Sequence, residues 1–143
     1  MNQWFQRHAR RNQEAELSRT TILAEAGSGR IIGYVTLSAG HIEREYLPRS
    51  QQRNRPNNIP IILLGQLAVD LHFQRRGYAR QLLLHSLKTA VALSRELGCF
   101  GVLTHPLDEE ARAFYRRFGF DGLPFDPHRS MIVRIRDLIH NGF

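Results

Sequence analysis

The sequence has 143 residues, of which 42% are hydrophobic, and its 20 Lys and Arg side chains outnumber its 13 Asp and Glu side chains, for a formal net charge of +7. This length predicts one globular domain over residues 1–143 and is too short for two. No apolar stretch reaches the roughly 18–20 residues of a membrane span, the first residues lack the apolar core of a signal peptide, and a single cysteine, Cys99, excludes an internal disulfide. The composition predicts a cytoplasmic protein without a membrane partner.

Arginine dominates the basic residues, since Lys88 is the only lysine. Arginine binds phosphate through paired hydrogen bonds and stacks on bases, which favours a nucleic-acid partner. A solvated basic surface without a partner would have the same composition. No arginine cluster is long enough to identify a binding motif.

The first half of the chain predicts one helix and three strands. In chain order these are an amphipathic helix at 2–16, a hairpin of strands at 20–26 and 30–39 joined by the turn Gly27-Ser28-Gly29, a mobile loop with one helical turn at 40–60, and a strand at 61–70. The strand at 61–70 shows little alternation of polar and apolar side chains, so we expect both of its faces to be covered.

The second half alternates helices and strands. In chain order these are a helix at 77–97 ended by Gly98, a strand at 100–104, a helix at 109–118 capped by Asp108 and ended by Gly119, and an alternating strand at 130–139. Strand 61–70, helix 77–97 and strand 100–104 form one βαβ unit. The alternation predicts an α/β fold with a mixed central sheet and flanking helices.

The first candidate site is the connection between the strand at 61–70 and the helix at 77–97. A helix N-terminus leaves backbone N–H groups without partners and carries the positive end of the helix dipole, so it binds phosphate. Gly77 permits close approach of a ligand, and Arg75 and Arg76 add charge. The spacing fits neither a Walker loop nor a dinucleotide fingerprint. An ordinary strand-to-helix connection is the alternative.

The second candidate site is the segment 111–120, ARAFYRRFGF. Phe114 and Phe118 are four residues apart on a helix, and we expect both to face the core. Tyr115 lies about 100° round the helix from Phe114, so we expect it to point into a cleft and to donate a proton to a leaving group. The alternative is an interface tyrosine with a solvated hydroxyl.

The other polar residues give weaker signals. The seven histidines show no metal-ligand spacing, and no serine lies in a nucleophile elbow. His105 follows a predicted strand end and could reach a cleft. The acidic run 108–110 is better explained by helix capping than by a catalytic carboxylate cluster.

The two candidate segments together resemble the motifs of the GCN5-related N-acetyltransferases, the GNAT family. Gln74, Gly77 and Ala79 match the pattern Q/R-x-x-G-x-G/A, and the segment 114–120 is similar to F-Y-x-x-x-G-F. The resemblance covers about residues 20–139. It implies a GNAT fold and acetyl-CoA as the cofactor.

The resemblance also implies roles for individual residues. The backbone of the strand end would hold the pantetheine arm, the loop N–H groups would hold the pyrophosphate, and Tyr115 would protonate the departing CoA thiolate. The cofactor-binding residues implied in this way are Leu67, Ala68, Val69, Gln74, Arg75, Arg76, Gly77, Tyr78, Ala79, Arg80 and Phe114.

A narrower similarity is to the acetyltransferase toxins of bacterial toxin–antitoxin pairs, and it includes the helix at 2–16 and the hairpin. It implies that the acetyl acceptor is the α-amino group of an aminoacyl-tRNA and that acetylation blocks translation. A ribbon-helix-helix antitoxin is the implied partner, and a homodimer is compatible with the resemblance. Those proteins begin with an additional strand, and we expect the sheet here without that first strand.

Proton chemistry gives a separate argument about the acceptor. A lysine side chain has a pKa of about 10.4 and must lose a proton before attack, whereas an α-amino group has a pKa of about 8. No Glu or His is identified as a required base, which favours an α-amine. A small amine, a protein N-terminus, and a binding module without catalysis are the alternatives.

Overall fold

The computed structural model describes residues 18–143, and the helix predicted at 2–16 lies outside them. The described elements are β1 (Arg19–Ala24), β2 (Ile31–Glu43), β3 (Asn58–Val69), α1 (Tyr78–Ser94), β4 (Gly101–Thr104), α2 (Glu109–Arg116), β5 (Asp121–Gly122), β6 (Met131–Arg134) and α3 (Ile135–His140). The strand order in the sheet is β1-β2-β3-β4-β6-β5. This α/β architecture confirms the predicted fold class.

The described chain divides into two compact units. The first unit contains residues 18–38 and 64–88, and the second unit contains residues 39–63 and 89–143. The predicted βαβ connection is confirmed, because β3 and β4 are neighbours in the sheet and the chain passes between them through α1.

The first unit begins with the predicted hairpin. β1 and β2 pair antiparallel, with Thr20 opposite Thr36. The hairpin is closed by the Glu25 N–H, which donates to the Arg30 carbonyl at 2.7 Å. Gly27 and Gly29 have φ values of +90° and +71°, which glycine adopts without steric cost. The two glycines therefore allow the tight turn that joins β1 to β2, as predicted.

The helix at 77–97 is confirmed over Tyr78–Ser94, but the predicted cap is wrong. Gly98 does not have a positive φ. The chain leaves the α-helix earlier, in a turn where the Leu97 N–H donates to the Leu93 carbonyl at 2.9 Å.

The predicted loop at 40–60 is wrong at both ends, because β2 continues to Glu43 and β3 begins at Asn58. Two 3-10 turns lie between the strands, at 44–46 and 49–51. Leu47 is fully buried in a core cluster with Ile42 and Ile59, and its carbonyl accepts a hydrogen bond from Gln52 Nε2 at 2.9 Å. One apolar side chain therefore anchors a segment that is otherwise polar.

The predicted strand at 130–139 is correct only as far as Arg134, because Ile135–His140 form α3. Ile135 and Leu138 are both buried at the i,i+3 spacing of a helix. Arg134 Nε donates to Asp137 Oδ2 at 2.9 Å. The ion pair and the spacing of the apolar residues both favour a helix over a strand.

Gly101 lies at the start of β4, opposite Arg134 of β6. A Cβ at this position would lie 2.5 Å from the Val133 carbonyl oxygen and 3.2 Å from the Arg134 Cα, and neither backbone atom can rotate away. We therefore expect Gly101→Ala to lower the free energy of unfolding by about 1–3 kcal/mol, the cost of overpacking.

Gly98→Ala is the matched control, because a Cβ at Gly98 meets no atom within 4 Å. Urea unfolding should show a lower midpoint for Gly101→Ala alone. Equal midpoints for the two variants would contradict the close approach of β4 and β6.

Candidate active site

The C-terminal half of β3 is an apolar strand that is only partly covered. Ile61, Ile62 and Leu64 are buried, whereas Leu67, Ala68 and Val69 are all partly exposed. The prediction that both faces are covered is therefore correct only for the first half of the strand. The exposed apolar half offers surface that a ligand could bury.

The edge of this strand half lies close to β2. A Cβ on Gly33 would lie 2.5 Å from the Ala68 carbonyl oxygen, so only glycine fits there. The Gln66 N–H donates to Thr36 Oγ1 at 2.9 Å, so a hydroxyl takes the place of a backbone carbonyl as its partner. The Asp70 N–H then donates to the Ile32 carbonyl at 2.7 Å. The strand end is thus fixed on the side that faces β2.

The loop after β3 is tied back to the strand by its own side chains. Asp70 accepts a hydrogen bond from the His72 N–H at 2.9 Å and caps a 3-10 turn over 71–73. Gln74 Nε2 donates to the Val69 carbonyl at 3.2 Å. The structure therefore gives Gln74 a positioning role, because its amide holds the loop against the end of β3.

The start of α1 presents backbone donors to open space. Arg75 and Gly77 both have positive φ values, of +64° and +82°, and a Cβ on Gly77 would meet no atom within 4 Å. The first helical hydrogen bond runs from the Gln81 N–H to the Gly77 carbonyl at 3.0 Å. Helix geometry leaves the N–H groups of residues 78–80 without intrahelical carbonyls.

Two arginines are held over the loop by one aromatic ring. The buried ring of Phe73 lies 5.2 Å from the Arg30 guanidinium carbon and 5.7 Å from that of Arg76, and it contacts Tyr78 edge-on at 6.1 Å. Arg75 and Arg80 are exposed nearby in sequence. Sequence reasoning missed Arg30, because no local signal connects the end of a hairpin turn to a loop 45 residues later.

The second unit contains Tyr115, and the burial of this side chain contradicts the prediction that it points into a cleft. Tyr115 is only 7% exposed and contacts the rings of Phe114 and Phe120, each at 5.3 Å. Phe114 and Phe118, which we expected in the core, contact each other at 5.2 Å and are both partly exposed. The reason is that the chain turns at Gly119, with φ of +91°, and brings the buried Phe120 back onto Tyr115.

The helix that carries Tyr115 begins as predicted and ends two residues earlier than predicted, at Arg116. Asp108 Oδ1 accepts a hydrogen bond from the Ala111 N–H at 2.8 Å, so Asp108 is the cap of α2 and Glu109 and Glu110 occupy its first turn. The acidic run is therefore a helix cap.

The hydroxyl of Tyr115 has one identified partner, Thr104 at the end of β4. Burial raises the pKa of Tyr115, and the hydrogen bond with Thr104 offsets part of this increase. The phenol is therefore protonated at neutral pH and can act as a proton donor.

Two other classes of site can be assessed within residues 18–143. That part of the chain contains no cluster of three or more His, Cys, Asp or Glu residues able to bind a metal ion. It also contains no helix with the length and apolarity needed to cross a membrane. Cys99 is partly buried, and burial raises the pKa of its thiol, as expected for an unreactive cysteine.

Comparison with known families assigns the domain. Residues 18–121 match the model of the "Acetyltransferase (GNAT) domain". The chain belongs to the GNAT acetyltransferase family. The match includes β3, the loop at 70–77, α1 and Tyr115.

Individual relatives carry more specific descriptions than the family model does. A "tRNA-acetylating toxin" from Mycobacterium tuberculosis (strain ATCC 25618 / H37Rv) is 37% identical over 105 residues, which are 73% of this chain and 63% of that protein. The match therefore spans less than two thirds of that relative's length.

Solved structures are similar over nearly the whole chain. AtaT complexed with acetyl-methionyl-tRNAfMet has a TM-score of 0.90 and 28% identity over 99% of this chain and 85% of that chain. AtaTR bound with AcCoA has a TM-score of 0.82 and 28% identity over 99% and 84%. An AtaT mutant toxin bound to the C-terminus of the antitoxin AtaR has a TM-score of 0.81 and 25% identity over 99% and 82%.

Proposed function

We propose that this GNAT protein is an N-acetyltransferase toxin, which transfers the acetyl group of acetyl-CoA to the α-amino group of an aminoacyl-tRNA and so blocks translation. The observation that carries the proposal is the similarity to AtaT, which has been solved with acetyl-methionyl-tRNAfMet. The "tRNA-acetylating toxin" of M. tuberculosis supports the same substrate class. Acetylation removes the free amine that peptide-bond formation requires.

Three features of the first unit support acetyl-CoA binding there. The apolar strand end at Leu67–Val69 is partly exposed and can bury the pantetheine arm while its backbone pairs with the amides of that arm. The N–H groups at the start of α1 and the open space at Gly77 suit a pyrophosphate. Arg30 and Arg76, both stacked on Phe73, add positive charge.

The proposed reaction needs one proton donor. Acetyl-CoA supplies an acetyl thioester, whose carbonyl carbon the amine attacks. The new C–N bond forms and the C–S bond breaks. The hydroxyl of Tyr115 gives its proton to the departing thiolate, and the proton that the amine loses passes to solvent, from which Tyr115 is reprotonated. Burial keeps that hydroxyl protonated, which is the state that the step requires.

We propose that the arginine-rich segment 44–57 of the second unit contacts the tRNA. It contains Arg44, Arg49, Arg53 and Arg55. Arg49 and Arg53 are exposed, whereas the Arg55 guanidinium lies 4.6 Å from the centre of the Phe100 ring. Exposed arginines bind phosphates, and an arginine beside an aromatic ring can also stack on a base.

Replacing both exposed arginines, Arg49→Ala with Arg53→Ala, should weaken tRNA binding and reduce the slope of log K against log salt by about one for each phosphate that is no longer bound. Lys88→Ala with Arg95→Ala is the control, because both side chains are exposed, lie outside the segment and together carry the same charge as the two arginines. Filter binding at several salt concentrations measures both the affinity for tRNA and its dependence on salt. Equal losses of tRNA affinity in the Arg49/Arg53 variant and the control would assign the effect to net charge alone.

The function itself is tested by transfer of radiolabelled acetyl groups from acetyl-CoA onto a pool of aminoacyl-tRNAs. Deacylated tRNA, polyamines and peptides with free N-termini are the comparison acceptors. We expect label on aminoacyl-tRNA alone. Label on a polyamine or a peptide would replace the proposed acceptor, and acetyl-CoA binding without transfer to any acceptor would indicate a non-catalytic module.

We further propose a ribbon-helix-helix antitoxin as partner and the cytoplasm, where charged tRNA is found, as the location. The complex of an AtaT mutant with the C-terminus of AtaR supports an antitoxin partner. A short ribbon-helix-helix protein encoded in the adjacent upstream reading frame would support this class of antitoxin. Co-expression should then restore growth that the protein alone arrests, and an antitoxin of another fold would correct the proposal.

A further inference from the structure

The second unit contains a groove of about 790 Å³ between the start of β3, the residues just before β4, and α3. We call it the α3 groove, and its apolar lining includes Ile59, Phe100, Ile135 and Ile139. Ile59 and Ile135 are buried, whereas Ile139 is 52% exposed. Ile139 follows Ile135 by four residues, so the two lie on the same side of the helix. The apolar side of α3 therefore continues into solvent, where a ligand could bury it.

The same groove carries positive charge. Arg55, Arg134 and Arg136 line it, and no acidic side chain of the described part of the chain does. Arg134 is paired with Asp137, with Nε 2.9 Å from Oδ2. Arg136 is exposed, and neither it nor Arg55 is ion-paired within the described residues. The groove therefore fits a ligand that is both apolar and anionic.

The α3 groove is separate from the proposed proton donor. Phe100 directly precedes β4, whereas Thr104, the partner of Tyr115, is the last residue of that strand. A strand rises about 3.3 Å per residue, so positions 100 and 104 are about 13 Å apart. The groove also contains none of the residues that we propose to bind acetyl-CoA. The acetyl donor therefore does not account for it.

The lining favours an acidic protein segment over RNA. Much of the apolar lining is aliphatic, from isoleucine and proline side chains, and aliphatic side chains of a partner can bury such surface. RNA offers phosphates to the arginines, but its unpaired bases bind by stacking on aromatic rings. Among the described residues Phe100 is the only ring in the lining, and the Arg55 guanidinium carbon already lies 4.6 Å from its centre. Carboxylates and aliphatic side chains together match this surface.

We propose that the α3 groove binds an acidic segment of the antitoxin, with carboxylates on Arg55 and Arg136 and aliphatic side chains against Ile139. This inference rests on the proposed antitoxin partner and assigns its place of binding. An amphipathic segment lying in a groove is a common mode of protein recognition. Because Arg55 also belongs to the segment 44–57, the bound partner excludes tRNA from part of its proposed contact surface. The partner thereby inhibits transfer without occupying the residues proposed for acetyl-CoA.

Cys99 provides a direct measure of whether the groove is occupied. It lines the groove, is partly buried, and is the only cysteine of the chain. The rate at which its thiol reacts with a small disulfide reagent therefore measures access to the groove in the full chain. This measurement needs neither a substrate nor acetyl transfer. Cys99→Ala should abolish the signal.

The chemistry of the ligand is tested with short random peptides displayed on phage and selected on the full chain. We expect the enriched peptides to combine aspartate or glutamate with leucine, isoleucine or valine. The same peptides, made synthetically, should slow the modification of Cys99, and versions with lysine in place of the acidic residues should not. Enriched peptides that lack acidic residues, or that leave the rate at Cys99 unchanged, would overturn the proposal.

The other occupants are tested with the same thiol reaction. Equal protection of Cys99 by total tRNA would assign the groove to RNA, and a rate that falls as the protein concentration rises would assign it to a second copy of the chain. Either result would overturn the proposal. In the complex with the antitoxin, Cys99 should be protected, and a freely reactive Cys99 there would overturn the assignment to that partner.

Arg136→Ala with Ile139→Ser should weaken binding of the selected peptides by about 10-fold or more. Arg95→Ala with Leu97→Ser is the matched control, because both of its side chains are exposed, belong to the second unit and lie outside the groove. Both double variants should keep the unfolding midpoint of the wild type. Equal losses of peptide affinity in the two would overturn the groove as the binding site.

Inhibition is tested by titrating a selected peptide into the protein. The affinity for tRNA should fall, and the dissociation constant for acetyl-CoA should not change. Unchanged tRNA affinity with Cys99 fully protected would overturn the proposed inhibition. If the protein does not acetylate aminoacyl-tRNA, the proposed function fails, but protection of Cys99 by acidic peptides still decides whether the groove binds them.

Discussion

Tyr115→Phe is expected to reduce kcat for acetyl transfer by about 10²–10⁴-fold at saturating acetyl-CoA. The variant removes only the hydroxyl that we propose as the proton donor. Its ring contacts with Phe114 and Phe120 do not need the hydroxyl, so the fold should be kept. Loss of the hydrogen bond to Thr104 should cost only about 0.5–1.5 kcal/mol of stability.

Three measurements separate catalysis from folding for this variant. The rate of acetyl transfer should fall, the dissociation constant for acetyl-CoA should be unchanged, and the far-UV circular dichroism should match the wild type. Tyr34→Phe is the control, since it makes the same chemical change on β2 of the first unit. An unchanged kcat in Tyr115→Phe would exclude the hydroxyl as the proton donor.

The pH dependence of the rate gives a further check on Tyr115. Burial raises its pKa above the ordinary tyrosine value, so the donor form should persist through neutral and moderately alkaline pH. Ionisation of Tyr115 should therefore reduce kcat only above about pH 10. A decrease at lower pH that is absent in Tyr115→Phe would contradict this.

Gly77→Asp is expected to weaken acetyl-CoA binding by about 10²-fold. A carboxylate at this position would project into the open space where we place the pyrophosphate. Two like charges about 5 Å apart at an effective dielectric of about 20 repel by about 3 kcal/mol, which corresponds to about two orders of magnitude in Kd. Isothermal titration calorimetry with acetyl-CoA measures the change.

Gly27→Asp is a close match for this variant. Gly27 also lies in the first unit, has a similar φ of +90°, and has no atom within 4 Å of the position that a Cβ would take, so both variants carry the same backbone strain. We expect similar losses of stability in both and weaker acetyl-CoA binding in Gly77→Asp alone. Weaker binding in both would indicate that strain, not charge at the loop, controls the affinity.

Features that depend on neighbours in sequence could be predicted. The turn at Gly27–Gly29, the cap at Asp108 and the strand–loop–helix around Gly77 each follow from residues a few positions apart, and the structure confirms them. The segment 130–139 could not be predicted in full, because its apolar residues fit both a strand and a helix. The buried i,i+3 pair Ile135 and Leu138 selects the helix for its second half.

Features that depend on distant residues were missed. The burial of Tyr115 depends on Phe120, which returns beyond the end of α2. The stacking of Arg30 on Phe73 joins the hairpin to the loop after β3. The hydrogen bond between His105 Nδ1 and Ser130 Oγ forms only because the antiparallel pairing of β4 and β6 brings position 105 opposite position 130.

The shared ring of Phe73 has an entropic consequence for ligand binding. A free arginine side chain loses about 2 kcal/mol of rotamer freedom when it is fixed. Arg30 and Arg76 already rest on a buried ring, so part of this loss is incurred during folding, before any ligand arrives. The anion site that we propose at the loop after β3 is therefore preorganised, and we expect its affinity to depend on a phenyl ring that need not touch the ligand.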